Sequence, residues 1–222
     1  MKLSNETLAI LKNYASINSG IEIKAGNELK TIASGFAVLS KATIKETFPE
    51  DFCIYDLPNF LSAYSLYENA ELEFDPVNII IRAGKCKIFY RKTDKNMIVT
   101  TDKECSVNDP FISFKITQDI FNFAMKSSNV LGSPNVVFES DGDNIYVTTC
   151  NVRNSSANSN TIEITEGNGR KFKAVILTEY MKMIPGAYDV DISSKGLVSF
   201  KHASQDIQYW VAIESKDSNF GD

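Results

Sequence analysis

The stretch FKITQDIFNFAMKSSN, residues 114–129, is the most informative part of the sequence about the fold, because it joins a short strand to an amphipathic helix. One helical face is apolar and consists of Ile120, Phe121, Ala124 and Met125. The other face is polar and carries Lys126. Thr117 precedes the helix, and its hydroxyl can accept a hydrogen bond from the first turn. The stretch therefore predicts a strand and then a helix over residues 118–128.

The first sixteen residues, MKLSNETLAILKNYAS, repeat this arrangement. Ser4 is the predicted N-cap of a helix over residues 5–16, and Lys12 corresponds to Lys126 on the polar face. Two shorter helices are predicted after Asp56, over residues 57–66, and after Thr178, over residues 179–183. The second of these contains Lys182 and is ended by Pro185 and Gly186. The order of strand, long helix, strands, short helix and strands thus occurs twice.

Between these helices the chain alternates apolar and polar residues in short runs that end in turn residues such as Asp141-Gly142-Asp143. The clearest predicted strands are residues 21–24, 71–74, 78–82, 87–90, 136–140, 144–149, 161–165, 188–192, 197–202 and 209–215. Antiparallel hairpins with a few helices indicate an α+β fold. We predict two similar domains, residues 1–103 and 111–222, and an interdomain connector over residues 104–110. The Asn- and Ser-rich residues 151–160 are predicted to form a long exposed hairpin loop.

Composition excludes several classes of protein. The 222 residues are 43% apolar and 23% charged, which is typical of a folded chain and not of a disordered one. No apolar run approaches the roughly 18 residues of a membrane-spanning helix, and we expect the chain to stay in the cytosol. The net charge of −5 argues against a large uniformly basic surface, although a small basic patch is compatible with it.

The sequence offers no catalytic or metal-binding constellation. Its four cysteines, Cys53, Cys86, Cys105 and Cys150, form no CxxC pair, and we predict neither a zinc site nor disulfides. Because Gly167-Asn168-Gly169 lies between two strands, a hairpin explains it better than a nucleotide-binding loop. The single histidine, His202, has Ser204 and Asp206 nearby, but adjacent hairpin positions do not assemble a base and a nucleophile. We expect no cofactor.

Three segments closely resemble the sliding clamp of T-even-type bacteriophages, the DNA polymerase processivity factor. They are residues 1–26 (MKLSNETLAILKNYASINSGIEIKAG), residues 54–74 (IYDLPNFLSAYSLYENAELEF), and the tail with YMKMIPGAYDVDISSKG (180–196) and YWVAIESKDS (209–218). The likeness covers essentially the whole chain in order, whereas residues 85–113 and 130–171 match mainly in pattern. It implies a DNA clamp fold: a homotrimeric ring of six similar domains, with helices lining a hole and sheets outside.

The resemblance also implies which residues face DNA. Each of Lys12, Lys126 and Lys182 alone is typical of a solvated surface lysine, but all three fall on helices that line the hole in such clamps. Lys2 and Lys115, just before the long helices, are weaker candidates. A closed ring is held on DNA by its topology, so weak phosphate contacts suffice and an acidic chain is compatible with the role.

Partners follow from the same resemblance. We expect duplex DNA of any sequence, the phage replicative DNA polymerase and an ATP-dependent clamp loader in the cytoplasm of the infected host. A late-transcription coactivator is a further partner, since such clamps are implicated in late transcription. Partner peptides would bind a hydrophobic pocket beside the connector, placed by position at Leu39, Ile44, Pro110, Phe111, Pro185 and Val211. Strand edges are expected to form the subunit contacts.

Two alternatives stay open at this stage. A phage structural or accessory β protein would share the hairpins but would not need the repeated helices or their lysines. An enzyme with a shallow site would need a clustered acid, base or metal set, which the sequence does not display. The repeat favours the non-enzymatic clamp.

Overall fold

The computed structural model describes residues 1–221. The chain divides into two compact units, Met1–Lys103 and Glu104–Asp222. Each unit consists of antiparallel sheets with one or two helices packed on them, so the α+β fold predicted from the sequence is confirmed.

Unit 1 contains two α-helices, a 3-10 turn and seven strands. The helices are α1 (Asn5–Ile17) and α2 (Leu57–Tyr64), and the 3-10 turn is Lys95–Met97. The strands are β1 (Ile21–Ile23), β2 (Gly26–Ile32), β3 (Val38–Phe48), β4 (Phe52–Ile54), β5 (Glu71–Phe74), β6 (Asn78–Ala83) and β7 (Cys86–Arg91). One sheet has the order β4-β1-β2-β3, and the other has the order β5-β6-β7.

Over its described residues, 104–221, unit 2 contains one α-helix, a 3-10 turn and nine strands. The helix is α3 (Gln118–Leu131), and the 3-10 turn is Thr178–Tyr180. The strands are β8 (Ile112–Ile116), β9 (Asn135–Asp141), β10 (Asn144–Cys150), β11 (Asn160–Glu166), β12 (Lys171–Leu177), β13 (Tyr188–Ser193), β14 (Leu197–His202), β15 (Ile207–Ala212) and β16 (Asn219–Phe220). One sheet has the order β15-β14-β13-β8, and the other has the order β11-β10-β9-β12-β16.

The repeat extends further than the sequence indicated, because each unit contains twice the order of a strand, a helix or 3-10 turn, and three strands, except that unit 1 opens without the first strand. In unit 2 the first copy is β8-α3-β9-β10-β11 and the second begins with β12, which joins the sheet of the first copy. In unit 1 the opening residues take the place of a first strand. The Met1 amino group donates to the Leu72 carbonyl of β5 at 2.6 Å, and the Leu72 N–H donates back to the Met1 carbonyl.

Two features differ from the predictions. The short helix predicted over residues 179–183 is wrong, since only a 3-10 turn at Thr178–Tyr180 forms there. The clear predicted strands also omitted β2 and β3, whose sequence GNELKTIASGFAVLSKATIKETF mixes lysine, glutamate and small residues with the apolar ones. Pairing between Leu29 and Ala42 and between Thr31 and Ser40 makes these residues strands, because sheet formation depends on cross-strand neighbours.

The core of each unit is built from alternate strand residues and aromatic rings. In unit 1, Phe48, Phe52 and Phe74 form an aromatic cluster with centroids 5.3 to 6.4 Å apart, in which Phe48 lies edge-on to the other two rings. In unit 2, the Phe138 ring lies 5.7 Å from Phe114 and 5.9 Å from Phe200. The helices cover these cores with one face and leave the other face to solvent.

Candidate nucleic-acid interface

The polar face of α1 is fixed by its cap and by its buried residues. The Ser4 hydroxyl accepts a hydrogen bond from the Thr7 N–H at 3.2 Å, which confirms the predicted N-cap. Ile10, Leu11 and Tyr14 are buried, and Lys12 is exposed. Because side chains follow the 3.6-residue helical period, burying these three residues places Lys12 on the outer side of the helix.

A groove of about 340 Å³ lies between α1 and α2 and brings Lys12 together with Lys2. Polar side chains of Asn5, Tyr67 and Asn69 line the same groove. The Lys2 ammonium donates to the Asn69 amide oxygen at 2.6 Å, which holds the flexible lysine at the groove. Two ammonium groups surrounded by amide and hydroxyl groups can contact a phosphate backbone directly or through water.

α3 presents a comparable face in unit 2. The Thr117 hydroxyl accepts from the Ile120 N–H at 3.3 Å, and Gly132 ends the helix in the left-handed conformation with φ of 62°. Phe121 and Ala124 are buried, and Lys126 is exposed. The predicted helix and its cap are therefore confirmed.

Lys182 is exposed, but it does not lie on a helix as predicted. The Thr178 hydroxyl donates to the Ser133 carbonyl at 2.7 Å and accepts from the Ser128 hydroxyl at 3.3 Å, so it is engaged by the end of α3 rather than by the residues that follow. Proline at 185 also disfavours helical geometry for Ile184. Met181 and Met183 are buried on either side of Lys182, and this alternation directs the lysine away from the core.

Lys115 belongs to a different surface. On β8, Phe114 and Ile116 are buried, whereas Lys115 alternates with them and is exposed. Ile116 is paired with Tyr188, whose ring lies 5.3 Å from Phe121 of α3. Lys115 therefore projects from the sheet face opposite α3, where its ammonium lies 3.0 Å from the Asp189 carboxylate. The structure does not bring Lys115 together with Lys126.

The helices are electrically neutral in an acidic protein. α1, α2 and α3 together contain two carboxylates, Glu6 and Asp119, and two lysines, Lys12 and Lys126, whereas the chain carries a net charge of −5. Glu6 is in addition paired with Lys45 at 2.7 Å. The remaining polar residues of these helices are amides and hydroxyls, a composition suited to weak contacts with phosphates.

The six residues predicted for a partner-peptide pocket have different environments. Leu39, Ile44 and Val211 are buried side chains of their sheets, Pro110 and Phe111 are half-buried, and Pro185 is exposed. Of these six residues, only Phe111 belongs to a partly exposed aromatic cluster. Its ring centroid lies 5.4 Å from that of Phe220 and 6.3 Å from that of Phe172. Phe172 and Phe220 were not among the predicted pocket residues, although an aromatic residue within the polar stretch KDSNFGD is a recognisable signal in the sequence.

Within residues 1–221 no group of three or more histidine, cysteine or acidic side chains is placed to hold a metal ion. His202 is buried, and its Nδ1 accepts hydrogen bonds from the backbone N–H groups of Ser204 and Gln205, both at 3.2 Å. Burial lowers the pKa of His202. The His202 side chain therefore stabilises the turn that follows it through these two hydrogen bonds. No helix among the described residues is both long and apolar enough to cross a bilayer.

The amino-acid sequence is similar to those of several known proteins. Residues 3–100 match the family described as DNA polymerase processivity factor. The chain is 27% identical to the sliding clamp of Vibrio phage KVP40, over 97% of this chain and 100% of that protein. It is 29% identical to the sliding clamp of Escherichia phage RB69 and 28% identical to that of Enterobacteria phage T4, in both cases over 99% of each chain.

Solved structures show the same fold at lower identity. The Proliferating Cellular Nuclear Antigen from Thermococcus kodakaraensis aligns with a TM-score of 0.71 at 11% identity, over 94% of this chain and 96% of that chain. The beta clamp of Helicobacter pylori, solved with a DNA ligase peptide, aligns with a TM-score of 0.68 at 13% identity, over 96% of this chain and 64% of that chain. The three phage relatives confirm the resemblance to sliding clamps that the sequence predicted, and the solved structures confirm the clamp fold.

Proposed function

We propose that this chain, a sliding clamp of the type that T-even phages encode, encircles duplex DNA as a homotrimeric ring and tethers the phage replicative DNA polymerase. The observation that carries the proposal is the end-to-end similarity to three phage sliding clamps, combined with a fold shared with other clamps. The chain catalyses no reaction in this role. Nothing in the comparisons favours a structural phage protein.

The charge of the helices supports sliding rather than tight binding. Lys2 and Lys12 at the α1–α2 groove, Lys126 on α3 and Lys182 supply a few ammonium groups among neutral polar residues. A protein that neutralises many phosphates binds tightly and loses affinity steeply with salt. A few water-mediated contacts would instead allow the ring to move along DNA of any sequence.

Two edge strands of opposite charge support a closed ring. β7 lies at one end of the three-stranded sheet of unit 1, and its exposed residues include Lys87, Phe89 and Arg91. β11 lies at one end of the five-stranded sheet of unit 2 and exposes Glu163 and Glu166. A head-to-tail contact between β7 of one copy and β11 of the next is heterologous, and such contacts form a ring when the rotation between copies closes.

The first experiment is the mass in solution by light scattering across a wide concentration range. We expect a mass near three times 24.7 kDa that falls on dilution. The variant K87E/R91E should shift the mass towards the monomer, because it opposes acidic residues to Glu163 and Glu166. Combining it with E163K/E166K exchanges the charges of both edges and should restore the trimer. A strict monomer at high concentration would overturn the ring.

The second experiment measures the lifetime of the loaded clamp on circular DNA. The variant K12E/K126E/K182E should shorten this lifetime by about tenfold, because three repulsive contacts replace three attractive ones in every subunit. K115E is the control: it reverses the charge of one lysine on the opposite sheet face and should leave the lifetime unchanged, whereas K126E alone should shorten it. Equal lifetimes for the triple variant and the parent would contradict the assignment of the lysines.

The remaining partners belong to the same proposal. An ATP-dependent clamp loader would open the ring, a late-transcription coactivator would bind the loaded clamp, and both would act in the cytoplasm of the infected host. The relative from Helicobacter pylori was solved with a DNA ligase peptide, and an archaeal relative was solved with the C-terminal region of FEN-1. Those structures support short peptide segments as the means by which partners bind this clamp.

A further inference from the structure

One edge of strand β12 is covered by a short segment that forms few regular strand pairs with it. Its other edge is paired with β9 along the whole strand, from Lys171 opposite Asp141 to Leu177 opposite Asn135. The covering segment is residues 214–221, which we call the tail segment, and only the two residues of β16 within it form regular strand pairs.

The tail segment forms hydrogen bonds with backbone N–H and carbonyl groups at this edge of β12. The Glu214 N–H donates to the Val175 carbonyl at 2.8 Å, and the Ser218 hydroxyl accepts from the Val175 N–H at 2.9 Å. Phe220 is paired with Phe172, and the Gly221 N–H donates to the Lys171 carbonyl at 3.2 Å. These are the contacts by which any extended peptide adds to a sheet edge, because they involve mainly backbone groups.

One aromatic side chain anchors the tail segment. The Phe220 ring is stacked on Phe172 at an interplanar angle of 6° and lies edge-on to Phe111. Phe172 is buried, whereas Phe220 and Phe111 remain half-exposed. The anchor is therefore incompletely buried, so that its removal would uncover two aromatic rings beside a free strand edge.

Basic groups surround this aromatic site. The Arg170 guanidinium lies 5.1 Å from the centre of the Phe111 ring and donates to the Phe111 carbonyl at 2.6 Å. Lys171 is exposed on β12, and Arg153 lies 3.8 Å from the Asp217 carboxylate of the tail segment. The sequence of the tail segment, ESKDSNFG, has two carboxylates, one lysine and one aromatic residue, and its Asp217 and Phe220 are the residues that contact this basic and aromatic surface.

We propose that the β12 edge is an exchangeable strand-addition site, at which a partner's extended peptide with one aromatic residue and flanking carboxylates replaces the tail segment. The aromatic residue occupies the place of Phe220 against Phe172 and Phe111, and the carboxylates face Arg170, Lys171 and Arg153. The tail segment acts as a resident competitor, which lowers affinity for peptides that lack the aromatic anchor. The inference rests on the proposed function, because the partner is a protein that the clamp holds on DNA.

The test uses the complete chain, a chain ended after Ile213, and the full-length variant F220A. The probe is a fluorescein-labelled peptide, ESKDSNFGD, with a matched peptide in which alanine replaces phenylalanine. Fluorescence anisotropy should show the probe binding at least about tenfold more tightly to the shortened chain and to F220A than to the complete chain. The alanine peptide should bind none of them measurably. If the shortened chain does not fold, the full-length F220A variant still tests the proposal.

Charge variants of the F220A chain define the site further. R170E/K171E should weaken binding of the probe by at least about fivefold, whereas K195E, which changes an exposed lysine in the β13–β14 turn, should not. Probe binding of equal strength to the complete chain and to F220A, or no binding to either, would overturn the proposal. A fall in the mass of the complete protein on adding probe would also overturn it, since the tail segment would then join two copies.

These measurements need neither DNA nor a polymerase. Failure of the peptide experiment with a normal trimer mass and a normal lifetime on DNA would therefore remove only the strand-addition site. A monomeric mass with normal probe binding would remove only the ring.

Discussion

Units 1 and 2 repeat the same order of elements but differ where the second helix of each should begin. In unit 1 the Asp56 carboxylate accepts from the Asn59 N–H at 2.9 Å, and α2 forms two turns behind this cap. In unit 2 the hydroxyl of the corresponding Thr178 accepts from the Ser128 hydroxyl of α3 at 3.3 Å and donates to the Ser133 carbonyl just beyond α3, so its oxygen is engaged elsewhere. A capping residue in the sequence thus yields a helix only when tertiary structure leaves its side chain available.

The two units fill the space beneath this position differently. α2 buries four side chains: Leu57, Phe60, Leu61 and Tyr64. In unit 2 the irregular chain buries Met181 and Met183, whose unbranched side chains fit irregular gaps. Gly186 follows, and its backbone lies directly against the His202 ring. The chain at this position is therefore held by close packing in unit 2 and by a capped helix in unit 1.

The largest effect on stability is expected at Gly186, where the close packing of unit 2 can be tested. A Cβ there would lie 2.1 Å from Nε2 of the buried His202 ring, so G186A should lower the free energy of unfolding by about 1–3 kcal/mol. G35A in unit 1 is the control, since a Cβ at Gly35 meets nothing within 4 Å. Thermal unfolding followed by circular dichroism should show a lower Tm for G186A only. Equal Tm values would mean that unit 2 is not closely packed there.

A smaller effect is expected at the cap of α2. D56A removes the acceptor for the Asn59 N–H and should lower the free energy of unfolding by about 1 kcal/mol. D56N retains a capping oxygen and should lose little. Urea unfolding of both variants measures the difference. If D56A and D56N were equally stable, packing rather than the cap would maintain α2.

The next prediction concerns pH and unit 2. Burial lowers the pKa of His202 in the folded protein, so below pH 6.5 the unfolded chain binds the proton more readily. The free energy of unfolding should therefore fall as the pH drops through this range, and H202N should show a smaller fall because asparagine does not titrate. Urea unfolding at about pH 7.5 and about pH 5.5 tests this. An unchanged pH dependence in H202N would show that other groups account for it.

The smallest effect is expected in unit 1, at a surface ion-pair cluster. The ammonium groups of Lys24 and Lys95 lie 2.7 and 3.2 Å from the Asp102 carboxylate, and they lower the pKa of Asp102. Any stability from these pairs would be lost only as the pH falls below about 3.9, the unfolded value. Because the groups are exposed, D102N should leave the Tm at neutral pH unchanged within error. A clear loss would show that the cluster is structurally important.

Much of the fold followed from local patterns. The helices α1 and α3, their caps Ser4 and Thr117, and most hairpin strands were predicted, because spacing and capping chemistry are properties of neighbouring residues. β2 and β3 were missed, since their strand structure depends on pairing with each other. The exposure of Lys12 and Lys126 was predictable for the same reason as their helices.

Tertiary structure decided the rest. The sequence by itself determined a repeated α+β architecture, the two helical lysines and the resemblance to phage clamps, because these depend on residue order and short-range periodicity. Only the folded chain engaged Thr178 with Ser133, turned Lys115 away from α3, brought Lys2 beside Lys12 and placed Phe220 on Phe172. Each of these joins residues far apart in sequence or assigns a face of a sheet, and neither local spacing nor composition specifies such contacts.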